Sequence, residues 1–102
     1  SNTINKTLSL HQDGLTISEI AQTRELVEST ISSHFADAIE AGLLSCQAVL
    51  EIAEDEIESI RRCIEDCNAL ETKQLKPVFE CLDSAYDYGL IRCVLNEMML
   101  ES

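Results

Sequence analysis

The stretch ISEIAQTRELVESTISSHFADAIEAGLL, residues 17–44, decides the fold that we predict for this chain. A T-x-x-E capping box at Thr16 and Glu19 starts a short helix over residues 17–23. After a turn, a second helix spans about Ser29 to Ala41. Its apolar residues have the spacing of one buried helix face: Ile31, Phe35, Ala38 and Ile39. A short helix, a turn and a second helix in this order are the layout of a helix-turn-helix.

Apolar residues keep helical spacing on both sides of this stretch, and no segment alternates like a strand. A first helix ends at Gly14, and later helices are expected from Ser45 to Leu50, from about Ala53 to Cys67, from Thr72 or Pro77 through Leu82, and from an Asp87 cap onward. We therefore predict an all-α, compact single domain of about six or seven helices over residues 1–102. The helix-turn-helix part is residues 1–44, a helical extension is residues 45–102, and no β-wing follows Gly42.

The charge balance limits the partners that the chain can attract. Seven Lys and Arg residues against 19 Asp and Glu residues give a formal net charge of −12, which repels both phosphate backbones and anionic lipid surfaces. No apolar run reaches the roughly 18 to 20 residues that cross a bilayer, and no signal peptide is visible. We expect a cytoplasmic fragment that contacts no membrane.

The five cysteines are an odd number, which fits the reduced thiols of a cytosol better than a disulfide scaffold. Cys63, Cys67, Cys81 and Cys93 could supply four zinc ligands, but zinc sites generally use C-x-x-C knuckles on loops. Small buried apolar groups on helix faces are the favoured interpretation. The chain also has no Gly-rich phosphate loop with Lys, no nucleophile elbow and no H-E-x-x-H. We predict no metal, no cofactor and no catalysis within it.

Two blocks of sequence resemble the C-terminal helix-turn-helix domain of bacterial RecQ-type ATP-dependent DNA helicases. The first follows that family's IA-x-x-R-x-L-x-x-x-T-I-x-x-H pattern with a later Gly, and its matching residues are Ile20, Ala21, Arg24, Leu26, Thr30, Ile31, His34, Phe35 and Gly42. The second is LKPVFECLDSAYDYGLIRCVL, residues 75–95, where the matches are Leu75, Lys76, Pro77, Tyr88, Ile91 and Arg92. The resemblance implies an accessory domain of a bacterial helicase that works in DNA unwinding, repair and recombination, with ATP and Mg²⁺ used by a motor elsewhere in the parent protein.

Two residues depart from the family's pattern at the turn. Glu25 stands where Gly is favoured, at a position that often needs a positive φ. Val27 stands where Ser or Thr usually caps the second helix, so that helix is expected to begin at Glu28 or Ser29 instead. Both departures weaken the transfer of a DNA-facing geometry to this chain.

The second helix carries no Lys or Arg, although this helix normally offers basic and polar groups to DNA. The candidate residues for DNA or partner contact are Ser29, Thr30, Ser33, His34, Lys73 and Lys76. For the hydroxyl residues, solvated surface is favoured over base contact; Ser32 is also placed outside the buried stripe. For His34, a structural hydrogen bond to a backbone or carboxylate group is favoured over a DNA contact or a pH switch.

The other cations of the second half, Arg61, Arg62 and Arg92, would form a basic patch with the two lysines only if the fold gathers them. We therefore expect weak or absent DNA binding by the isolated chain. Three hypotheses remain. The first is an accessory domain of a RecQ-like helicase that positions DNA or docks on another part of the enzyme, such as the helicase core. The second is an acidic protein-docking module that recruits a basic partner or mimics the charge of DNA. The third and least favoured is a transcription-factor domain, because such regulators normally show a basic face.

Overall fold

The computed structural model describes residues 2–102; Ser1, the first residue of the predicted domain, lies outside the described part. Within it the chain forms eight helices and no strand. The helices are α1 (Asn2–Gln12), α2 (Ile17–Arg24), α3 (Glu28–Glu40), α4 (Cys46–Val49), α5 (Glu54–Asp66), α6 (Ala69–Thr72), α7 (Lys76–Cys81) and α8 (Tyr88–Glu101). The all-helical class is confirmed, and α4 occupies the place where a winged domain would begin its hairpin.

Local sequence explains how α2 and α3 begin. The predicted capping box is present: the Glu19 N–H donates to Thr16 Oγ1 at 3.1 Å, and the Thr16 N–H donates to Glu19 Oε1 at 2.8 Å. Val27 precedes α3 without a side-chain cap, so α3 begins at Glu28. The turn between the helices passes through Glu25, whose backbone is left-handed with φ 57°.

The eight helices of residues 2–102 exceed the upper number predicted, seven, by one. The additional helix, α6, is a single turn between Asn68 and Lys73, and both of these flanking residues have a positive φ. No side-chain cap marks its start, so sequence pattern gave no signal for it. Thr72 ends this turn, and the next helix, α7, begins at Lys76 with Pro77 in its first turn.

The core forms around α3, which α1 and α2 contact and against which α8 packs most extensively. The buried cluster has its largest fully buried side chains on α2, α3, α5 and α8: Ile20, Ile31, Phe35, Ile39, Ile60, Ile64 and Ile91. None of the described helices combines the length and apolar character that crossing a membrane requires.

Small residues let α8 lie close to α3, and two hydrogen bonds join the helices. At Gly89, a Cβ would stand only 2.8 Å from Ser32 Cβ. Cys93 Sγ donates to the Ser32 carbonyl oxygen at 3.4 Å, and Asn96 Nδ2 donates to the Ala36 carbonyl oxygen at 2.9 Å. Ser32 is 2% exposed, so its placement outside the buried stripe was wrong, because α8 covers a second face of α3 that the apolar pattern does not mark.

Candidate functional site

An open groove with a volume of about 480 Å³ lies between the first turns of α3, the helix α7, and the start of α8. It is lined by Ser29, Thr30, Ser33, His34, Phe79, Asp87, Tyr88 and Gly89. Four of the six residues proposed from sequence therefore line one groove. Lys73 and Lys76 do not line it: Lys73 borders a different groove with Glu40 and Arg92, and Lys76 is exposed at the start of α7.

Two stacked aromatic rings form one wall of the groove. The ring centroids of Phe79 and Tyr88 are 4.7 Å apart with an interplanar angle of 23°. Tyr88 keeps 44% of its surface exposed. From the sequence, Phe79 was expected only as part of a short helix that runs through Leu82, and Tyr88 was only a family match. The pairing of the two rings depends on how α7 meets α8, and helical periodicity gives no information on that.

Asp87 lies at the rim of the groove and caps α8, as the sequence predicted. Its Oδ1 accepts from the Leu90 N–H at 2.7 Å. Within residues 2–102 no hydrogen bond or ion pair uses the second carboxylate oxygen, Oδ2. One carboxylate oxygen therefore remains free to accept from a ligand.

His34 is 9% exposed and belongs to a series of side-chain hydrogen bonds that joins α1, α2 and α3. Arg24 Nη1 donates to Thr7 Oγ1 at 2.6 Å, and Thr7 Oγ1 lies 2.7 Å from His34 Nδ1. Because arginine can only donate, the Thr7 hydroxyl accepts from it and can donate a hydrogen bond to Nδ1 of a neutral imidazole. The partner of His34 is thus a hydroxyl, where a backbone or carboxylate group was expected.

Burial lowers the pKa of His34, and the nearby Arg24 charge lowers it further. The imidazole is therefore neutral at neutral pH and adds no positive charge to the groove. Thr7 lies 27 residues before His34, outside the motif, and no sequence signal pointed to it.

Three of the four arginines donate to acceptors of the chain itself. Arg24 Nη1 also donates to the Thr3 carbonyl oxygen at 2.7 Å. Arg61 donates to Glu101 at 2.7 Å and to Glu97 at 2.9 Å. Arg92 is paired with Asp37. Two members of the possible basic patch, Arg61 and Arg92, are thus neutralised within the domain.

The cysteines do not share one environment. Cys46 and Cys93 are buried, and burial raises the pKa of both thiols, that of Cys93 to about 12. Cys63 and Cys67 are half-buried, and Cys81 is exposed. The interpretation of Cys63, Cys67, Cys81 and Cys93 as small buried apolar groups was therefore wrong for Cys81. Within the described part of the chain, no group of three His, Cys, Asp or Glu side chains is arranged to hold a metal ion.

A capped short helix, a left-handed turn and a largely buried second helix define the helix-turn-helix class of domain. The chain belongs to a protein family described as a helix-turn-helix domain, whose model matches residues 3–95. A search of curated proteins found no significant match, and a search of solved structures found none.

Proposed function

We propose that this chain is a non-catalytic accessory domain of a RecQ-like ATP-dependent DNA helicase, and that it docks on another part of the enzyme while a basic motor holds the DNA. The observation that carries the proposal is the charge of α3. Its residues outside the core include Glu28, Asp37 and Glu40 and no cation. The nearby Arg24 and Arg92 are held by groups of the domain itself.

This arrangement is unfavourable for an autonomous DNA-binding domain. Such domains neutralise phosphates with Lys and Arg, and the counterions released by that contact supply most of the non-specific affinity. The hydroxyls of Ser29, Thr30 and Ser33 can accept or donate hydrogen bonds, but they cannot attract a polyanion. A docking role uses the same exposed groove without requiring positive charge.

The RecQ parentage is supported by the two resembling blocks, residues 17–44 and 75–95, which lie in the family's order. On this proposal ATP and Mg²⁺ belong to the parent's motor, and the protein works in the bacterial cytoplasm on the nucleoid. Its part in unwinding, repair and recombination is to position the DNA-bound enzyme. The reading frame upstream of Ser1 provides a direct test: a helicase motor encoded there is the expected result, and an unrelated protein would refute the parentage.

The expected lack of DNA binding by the isolated domain is tested by fluorescence anisotropy with labelled duplex and single-stranded oligonucleotides at physiological salt. We expect no saturation below about 100 µM, since non-specific Kd values of DNA-binding domains run from about 0.1 mM to 1 µM. Sub-micromolar binding that disappears in the triple variant Ser29→Glu, Thr30→Glu, Ser33→Glu would show instead that α3 reads DNA.

A second candidate function is an acidic docking module for a basic protein, with no connection to DNA. The net charge of −12 and the free carboxylate oxygen of Asp87 favour it. The two candidates differ in one measurement. Salt-sensitive DNA binding by the domain joined to its parent motor, exceeding that of the motor alone, supports the helicase role. Binding to a basic protein with no such increase supports the second.

A further inference from the structure

We infer that the groove of α3, α7 and α8 is a binding site for an arginine side chain presented by a basic segment of a partner protein. The inference rests on the proposed docking role and specifies the chemistry of the docked group. It combines three features of the groove: a supported aromatic ring, a free carboxylate oxygen and unpaired hydroxyls.

The aromatic wall fits a planar cation. Phe79 stacks on one face of the Tyr88 ring at a centroid distance of 4.7 Å, and Tyr88 as a residue is 44% exposed. A guanidinium stacks on such a ring through both cation–π attraction and planar contact, whereas an ammonium offers only a point charge. The wall therefore favours arginine over lysine.

Polar groups around the ring supply acceptors for the guanidinium N–H groups. Asp87 Oδ2 is free of hydrogen bonds within residues 2–102, and so are the side-chain hydroxyls of Ser29, Thr30 and Ser33. A charged donor paired with a carboxylate makes a hydrogen bond about twice as strong as a neutral pair. Asp87 is thus the anchor, and the hydroxyls complete the set of acceptors.

The charged side chains around the groove favour a cation. Among the described residues 2–102, Asp87 is the one charged side chain that lines it, and His34 contributes no charge at neutral pH because burial depresses its pKa. The net charge of −12 draws cationic segments toward the domain and repels nucleic acid. A volume of about 480 Å³ is ample for one arginine side chain.

The test is an NMR titration of the full chain, labelled with ¹⁵N, using the peptide acetyl-Gly-Arg-Gly-amide. Its matched probe has citrulline in place of arginine, which keeps the shape and removes the charge. We expect the arginine peptide to shift the backbone amides of Ser33, Tyr88 and Gly89, and the citrulline peptide to bind at least about tenfold more weakly.

Two variants and one control locate the site. Tyr88→Leu and Asp87→Asn are each expected to weaken binding of the arginine peptide by about fivefold or more. Asparagine at position 87 preserves the cap of α8. Asp66→Asn makes the same change of charge at an exposed position of α5 and should leave the affinity unchanged. An equal loss in the control variant would mean general attraction to an acidic protein and would overturn the inference.

Two further results would also overturn it. Shifts spread evenly over the acidic faces would show that no site exists. A single-stranded oligothymidine that shifts the same amides at lower concentration than the arginine peptide would assign the groove to nucleic acid, and the proposed docking role would fail with it. If the groove rejects arginine while the domain still binds its parent motor, the docking role stands and only this inference falls.

Discussion

At the scale of single residues, Glu25 carries a backbone conformation that suits glycine. Its φ and ψ are 57° and 43°, and its N–H and that of Leu26 bond back to the carbonyls that end α2. A side chain in the left-handed region costs roughly 1–2 kcal/mol, since Cβ approaches the following carbonyl oxygen. The turn keeps its shape because the two helices it joins are fixed by the core.

We expect Glu25→Gly to raise the free energy of unfolding by about 1 kcal/mol, because glycine adopts this conformation without strain. Urea denaturation measures the change. The matched control is Glu58→Gly, at an exposed glutamate inside α5, which should lower the free energy of unfolding by about 1 kcal/mol because glycine has poor helix propensity. A loss of stability in both variants would show that Glu25 is not strained.

His34 makes stability depend on pH. Its pKa is lower in the folded chain, so the unfolded chain binds the proton more readily. The contribution of neutral His34 is therefore complete above about pH 6.5 and is lost as the pH falls through the lower, folded pKa. We expect urea unfolding between pH 7.5 and 5 to show declining stability, with a shallower decline in His34→Gln. Identical slopes in the two proteins would contradict this assignment.

At the scale of helices, Arg61 links α5 to α8 and, through Glu97, to α4. Glu97 Oε2 accepts from Arg61, and its Oε1 accepts from the Cys46 N–H at 2.8 Å. The Arg61 and Glu97 side chains are only 24% and 19% exposed, so water screens this pair less than a fully solvated one. One glutamate thus holds three helices in place.

Replacing Arg61 should weaken this link. We predict that Arg61→Met lowers the free energy of unfolding by about 1 kcal/mol, because Glu97 and Glu101 lose their common cation while the aliphatic contact remains. Arg62→Met, at the adjacent exposed position, should stay within about 0.5 kcal/mol of the wild type. Chemical denaturation of both variants side by side provides the comparison, and equal effects would assign no role to the pair.

Helix starts that are marked by capping residues could be predicted from the sequence. Features that depend on tertiary packing could not. The capping box fixed the start of α2, and Asp87 marked the start of α8. The single turn α6 has no cap, and it forms where the buried Ala69 joins the core. Four groove residues followed from the position of α3, whereas Phe79 and Tyr88 become a pair only when α7 meets α8.

At the scale of the whole molecule, the close crossing of α3 and α8 holds the two parts of the sequence together. A Cβ on Gly89 would lie 2.8 Å from Ser32 Cβ and 2.9 Å from the Ser29 carbonyl oxygen, so backbone as well as side chain would have to move. The helix-turn-helix part and the helical extension therefore share one core.

Gly89→Ala should lower the free energy of unfolding by about 1–3 kcal/mol, although alanine ordinarily stabilises a helix relative to glycine by about 0.5–1 kcal/mol. Gly89→Val should lower it further, since the clash grows with the side chain. Gly42→Ala isolates the other cause of loss: a Cβ there meets nothing within 4 Å, so its expected loss of about 1–2 kcal/mol comes from its φ of 77° alone, which Gly89 does not share. A more stable Gly89→Ala protein would mean that the helices separate without cost.

The crossing also sets the order in which a ribosome can complete this domain. The bonds from Cys93 to Ser32 and from Asn96 to Ala36 span 61 and 60 positions of the chain. At about 5–20 residues per second, translation needs about 3 to 12 s to add that segment, and until then the side of α3 that α8 will cover stays open to other nascent chains. The helix-turn-helix, although encoded first, cannot complete its packing until α8 is made, and a chain that stalls before Gly89 leaves that side of α3 exposed to chaperones and proteases.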